Sequence, residues 1–164
     1  MNQNFFLTST FLSPWIDAFP FEGKQVVTCF IQRGDRVLML QRGRKDAQYK
    51  LWGIPGGKRE GDETLLEALC RELKEEIGVA FTEEQVIYLA SAISKTSTDG
   101  IYGLHLYHAK FPDGLSEPKI DLAEHLAYQW VTLKEFKQVQ LLHAQKEAFI
   151  YVEGILTNII NQRL

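Results

Sequence analysis

Residues 57–79 run GKREGDETLLEALCRELKEEIGV, with an acidic turn after Gly61, apolar residues at 65, 66, 69, 70, 73 and 77, and Gly78 as a stop. That spacing predicts an amphipathic helix over residues 62–78. At about 100° per residue the apolar positions fill one arc and Glu67, Arg71 and Lys74 fall on the solvated side. Glu72, Glu75 and Glu76 share a third face, which runs up to the edge of the buried stripe. Glu75 has Arg71 four residues before it, whereas Glu72 and Glu76 have only acidic and apolar neighbours at helical spacing. Like charges so placed cost roughly a few tenths of a kcal/mol each, and partial burial adds a desolvation penalty. A positive partner is therefore expected from outside the helix. Carboxylate oxygens of this kind suit Mg²⁺ or Mn²⁺, which take a few carboxylates and leave positions for water and phosphate.

Outward from this helix, the chain divides into short strands. Residues 25–32 and 36–42 are β-branched and apolar around Arg33-Gly34-Asp35 and predict a hairpin. Residues 51–57, Leu-Trp-Gly-Ile-Pro-Gly-Gly, cannot be helical and are expected as strand edge and loop. Residues 85–94, 101–111 and 128–131 predict further strands, the second alternating on Tyr102, Leu104 and Leu106, and residues 141–160 a terminal helix. Short strands with two principal helices imply an α/β (α+β) fold, a mixed sheet sandwiched between helices.

At 164 residues, 45% hydrophobic and 24% charged, the composition excludes disorder and fibrous repeats and supports one core, expected over residues 24–164. Residues 1–23 form an aromatic arm without sustained period, expected to pack on the domain or on a second subunit and so pointing to a homodimer. A net charge of −3 supplies no concentrated basic surface, so no stable nucleic-acid partner is expected. The start of the chain has no basic region of the signal-peptide kind, and no stretch has the length and apolarity of a membrane span. Cys29 and Cys70, far apart in apolar stretches, are expected as buried reduced thiols in a cytoplasmic protein.

The string Gly57, five residues, Glu63, seven residues, Arg71-Glu72-Leu73, one residue, Glu75-Glu76, one residue, Gly78-Val79 resembles the Nudix box at every specified position. A chance match in such a chain has a probability on the order of 10⁻⁸ to 10⁻⁷. The resemblance spans roughly residues 24–140. It implies a Nudix fold and Mg²⁺-dependent (or Mn²⁺-dependent) hydrolysis of a nucleoside diphosphate linked to another moiety, in the manner of MutT-like nucleotide pyrophosphohydrolases.

The same resemblance implies that Glu72, Glu75 and Glu76, with the carbonyl of Gly56, hold the metal. It makes Arg71 the group that orients the carboxylates and Glu63 a supporting acid. Catalytic roles fall to Glu76, Glu75, Arg71 and Glu124, the last standing six residues before Trp130. Arg42 stands where MutT-like enzymes carry a substrate-contacting arginine, and Arg44, Lys45 and Lys58 are further basic candidates. Trp52 and Ile54 flank the site entrance and are candidates to stack or pack on a base, or to lie in the core beneath it. No role is assigned to His105, His108 or His125.

Markers outside the box narrow the substrate. The proline of ADP-ribose enzymes is replaced by Ser94 and Lys95, and the NADH-type Ser-Gln-Pro-Trp-Pro-Phe string is absent. What remains is a (deoxy)nucleoside triphosphate, oxidised or non-standard bases included, cut to monophosphate and pyrophosphate. The rival readings are a catalytically silent nucleotide-sensing module and a dinucleoside-polyphosphate or RNA-cap hydrolase.

Overall fold

The computed structural model describes residues 22–44, 48–96, 100–142 and 145–162. The aromatic arm through residue 21 and Lys45 lie outside the described residues. Strands β1 (Gln25–Arg33) and β2 (Arg36–Arg42) close the expected hairpin at Arg33↔Arg36. Gly34 in its turn has φ 58°, the left-handed conformation that tight hairpins demand. Only the last residues of β1 pair with β2. Upstream, Val26, Val27 and Thr28 pair instead with β4 (Gly56–Lys58), wedged between the diverging strands. β2 takes β3 (Trp52–Gly53) and β7 (His125–Thr132) as its other antiparallel partners.

The opposite edge of β1 runs parallel to β6 (Gly100–Lys110), which pairs antiparallel with β5 (Val86–Thr96). The result is a seven-stranded mixed sheet ordered β3-β2-β1-β6-β5, with β4 and β7 off that path. Alternation along β6 sends Tyr102, Leu104 and Leu106 to one face and Tyr107 and Ala109 to the other. The first face packs on α2 (Leu133–Phe136) and α3 (Gln145–Asn161) through Phe136, Phe149, Val152 and Leu156. The second packs on α1 (Leu65–Ile77) through Leu69, Leu73 and Ile77. Both faces are covered, as expected of a sheet sandwiched between helices.

Several boundaries move for identifiable reasons. Helix α1 begins at Leu65, not at residue 62, because Thr64 caps it: the Thr64 side chain accepts from the Glu67 N–H while Glu67 accepts from the Thr64 N–H. Helix α3 begins at Gln145, not at residue 141, because residues 140–142 bond to the backbone of Trp52 on both sides. Strand β7 starts at His125, three residues before the expected Tyr128, since His125 still pairs with Arg42 across a register shift. Both cysteines are free, but Cys70 is only half-buried. Among the described residues no helix is long and apolar enough to cross a membrane.

Candidate active site

A cleft of about 370 Å³ opens where β4 and the second half of α1 meet the start of α3. Arg42, Gly56, Lys58, Arg71, Glu72, Glu75, Glu76 and Glu124, expected at the site, all line it. Glu63 stands behind them, bound to Arg71. Arg44 is exposed and forms no part of the cleft wall. Trp52 also stands apart, packed against the core cluster on the α3 side, while its neighbour Ile54 does reach the cleft.

Arg71 ties the acidic face together. Its guanidinium donates to both oxygens of Glu63, at 2.7 and 3.1 Å, to Glu72 at 2.9 Å, to Glu75 at 3.3 Å and to the Lys58 carbonyl at 3.0 Å. The bidentate grip holds the Glu63 carboxyl down to about 2, mainly through the Arg71 hydrogen bonds and then through the Glu60 N–H. The sequence expectation that Glu72 lacks a cation on its own helix is therefore corrected. Adjacent residues point about 100° apart on a helix, but the arginine is long enough to reach sideways. Glu72 nonetheless has its pKa raised, because burial, with the smaller contributions of the Glu76 and Glu75 charges, outweighs the Arg71 hydrogen bond.

Glu76 does take its partners from outside the helix, Arg42 being the charged one. It is 3% exposed, and its Oε2 accepts from the Gly56 N–H at 2.7 Å. Oε1 lies 2.9 Å from His125 Nε2 and 3.8 Å from Arg42 Nη1. His125, to which the sequence assigned no role, is thus a buried partner of the site, and the Nε2 contact is its physical basis. Only its place next to Glu124 hinted at this. Oxygen and nitrogen atoms of Glu76, Glu124 and His125 all lie within 4.8 Å of one another. The segment carrying Glu124 and His125 is pinned, with the Asp121 N–H on the Glu76 carbonyl, the His125 N–H on the Asp121 carbonyl and the Gly43 N–H on the Glu124 carbonyl.

His105 and His108 sit apart from the acidic face. His105 bonds Ser91 and Gln25, and burial holds its imidazole down to about 4, so it stays neutral. His108 bonds Gln32.

The far wall is different in character. Val26, Ile54, Tyr102, Leu104 and Leu142 make it apolar, and the buried amide of Gln145 stands among them, its Oε1 accepting from the Ile54 N–H at 3.0 Å. Lys24 also lines the cleft. Neither Gln145 nor Lys24 was legible as a site residue, since neither lies in a motif. A half-buried row of carboxylates facing basic side chains and an apolar wall can hold a cation, a polyanion and a flat apolar group at once.

The family model of the NUDIX domain matches residues 23–151. The CTP pyrophosphohydrolase of Escherichia coli is 36% identical over 120 residues, 73% of this chain and 84% of that protein. A putative 8-oxo-dGTP diphosphatase of Mycobacterium tuberculosis is 34% identical over 124 residues, 74% of this chain and 82% of its own length. Among solved structures, the MutT Nudix hydrolase of Burkholderia pseudomallei superposes with a TM-score of 0.67 at 27% identity, covering 79% of this chain and 97% of that one. The E. coli ORF135 protein superposes with a TM-score of 0.64 at 34% identity, covering 80% and 91%. A match that spans the whole acidic helix and most of the sheet, with relatives of this identity and coverage, settles the family: the chain belongs to the Nudix hydrolases.

Proposed function

We propose that this protein is a divalent-metal-dependent pyrophosphohydrolase that converts a (deoxy)nucleoside triphosphate to the monophosphate and pyrophosphate. The observation that carries the reading is the pairing, in one cleft of about 370 Å³, of a carboxylate row with an apolar wall that holds a buried amide. That volume lies at the small end of ligand sites, which favours one nucleotide over a dinucleotide or a capped RNA.

The donor set fits Mg²⁺ or Mn²⁺. Burying Glu72 beside Glu75 and Glu76 raises its pKa despite the bonded Arg71, so one arginine does not satisfy the face and a further cation does. Glu72, Glu75 and Glu76, with the Gly56 carbonyl, would hold it; when bound it neutralises phosphate charge and acidifies water. Arg71 keeps the carboxylates in register, with Glu63 as its counter-anchor. Arg42, Lys58 and Lys24 offset the polyphosphate charge and stabilise the charge that develops as the bridging bond breaks. Glu124, exposed at the rim, takes the proton of the attacking water. The water oxygen bonds to one phosphorus of the α–β bridge as the bond from that phosphorus to the bridging oxygen breaks, and the products part as monophosphate and pyrophosphate.

The nucleobase lies against Ile54, Tyr102 and Leu142. Because the Gln145 carbonyl is committed to the Ile54 N–H, its amino group is what it offers a base, and it selects for a ring carbonyl or nitrogen acceptor. Gln145→Leu is expected to lower kcat/KM for the preferred nucleotide about tenfold and to flatten discrimination among bases. Competition kinetics between nucleotide pairs measure this, and unchanged discrimination removes Gln145 from the base subsite.

The decisive assay is pyrophosphate release from a panel of triphosphates, oxidised and methylated bases included, beside nucleoside diphosphate sugars and dinucleoside polyphosphates, with Mg²⁺ and with EDTA. Metal-dependent pyrophosphate release from one triphosphate is the expected result. Binding without turnover anywhere on the panel would make this a sensing module instead.

A further inference from the structure

Glu76 is the most deeply buried carboxylate of the cleft, and each of its oxygens already has a partner from the protein: the Gly56 N–H on Oε2 and the His125 ring on Oε1. The identity of the second partner depends on where the His125 ring proton sits. The ring is 2% exposed, and its Nδ1 has no hydrogen-bond partner among the described residues. A proton on Nδ1 would be a buried donor without an acceptor, and it would leave a bare Nε2 lone pair facing a carboxylate oxygen. Both are unfavourable. A proton on Nε2 removes both penalties at once.

From this geometry we infer that His125 is a positioning residue for the metal site, its Nε2–H donated to Glu76 Oε1. The inference rests on the proposed role of Glu76 as a metal-holding carboxylate. Each carboxylate oxygen has two lone pairs. With one taken by Gly56 and one by His125, Glu76 is locked in a single orientation and keeps one lone pair per oxygen for a cation or a water in the cleft. Arg42, at 3.8 Å, is too far to fix orientation and contributes charge alone.

His125 is itself held by backbone bonds, not by its ring. Its N–H donates to the Asp121 carbonyl, and the preceding Glu124 carbonyl accepts from the Gly43 N–H at 2.7 Å. That approach needs a glycine, because a Cβ at Gly43 would stand 2.6 Å from the Glu124 oxygen. The ring is therefore presented to Glu76 by a rigid segment, whatever the state of the cleft. Partners that orient a metal-binding group in this way change metal affinity or activity by about 10- to 100-fold when removed.

The test uses the full chain and two substitutions. His125→Gln keeps an N–H at about the reach of Nε2, and His125→Leu fills the space without a donor. Mn²⁺ affinity, measured by electron paramagnetic resonance or calorimetry without nucleotide, is expected to stay within about threefold of the parent for His125→Gln and to weaken at least about tenfold for His125→Leu. In nucleotide turnover, kcat is expected to follow the same order with KM changing less. Nitrogen NMR of the metal-free parent is expected to show a proton on His125 Nε2. A folded His125→Leu with parental Mn²⁺ affinity overturns the inference, as does a bare Nε2. Should His125→Leu fail to fold, a folded His125→Gln that loses tenfold in affinity overturns it as well. Metal affinity and the ring tautomer need no substrate, so absence of nucleotide hydrolysis would count against the proposed function and leave this result standing on its own.

Discussion

Glu76→Gln is expected to lower kcat by at least about two orders of magnitude while leaving the fold intact. The substitution keeps the shape of the side chain and removes its charge, and it also turns one acceptor into a donor. If the new amino group replaces Oε2, it meets the Gly56 N–H, donor against donor. If it replaces Oε1, His125 must present a bare Nε2 and carry its proton on Nδ1, which has no acceptor among the described residues. Either arrangement costs about 1–3 kcal/mol, less than the stability of an ordinary domain. The variant should therefore melt a few degrees lower as a cooperative, folded protein. Steady-state turnover with saturating metal, set beside thermal unfolding by circular dichroism, measures both effects. Turnover within tenfold of the parent would take Glu76 out of the chemistry.

The acidic helix shows how far local sequence carries. Its apolar period, its Gly78 stop and the shared face of Glu72, Glu75 and Glu76 are all properties of a single helix, and they survive intact in the structure. The hairpin and the alternation of β6 are legible for the same reason, since each is written in neighbours two or four residues apart. Where the reading fell short, the cause lies across the fold. The chain at residues 140–142 has apolar periodicity, but Trp52, far away in sequence, claims its backbone. His125 and Gln145 belong to no motif, yet each is buried against the site by a partner remote in the chain, Glu76 for the first and Ile54 for the second. Trp52 shows the converse. It stands four residues before the double glycine and shares the core cluster on the α3 side with Ile54, but only Ile54 also reaches the cleft.

The double glycine itself offers the sharpest separation of stability from function. A Cβ at Gly56 would stand 2.0 Å from the Val27 carbonyl oxygen and 2.7 Å from the Thr28 Cα, and its φ of 144° lies outside the range that residues with side chains adopt. Nothing there can yield except the β1–β4 pairing itself. Gly56→Ala is expected to destabilise the protein by at least about 3 kcal/mol, through steric overlap and backbone strain together.

At Gly57, one residue on, the three atoms nearest an added Cβ all belong to the carboxyl group of Glu72, at 2.3–2.5 Å, and the backbone carries no such strain. Glu72 is the end of a flexible side chain, so it moves aside at little cost to folding. Moving it disengages the carboxylate from the Arg71 bond at 2.9 Å and from the cleft. Gly57→Ala is therefore expected to melt within about 1 kcal/mol of the parent and yet lose roughly 10- to 100-fold in Mn²⁺ affinity or kcat. Thermal unfolding and metal titration on the two alanine variants, side by side, decide the matter. A Gly57→Ala protein with full activity would mean that Glu72 works equally well from a displaced position, and one that fails to fold would mean that Gly57 serves the sheet and not the site.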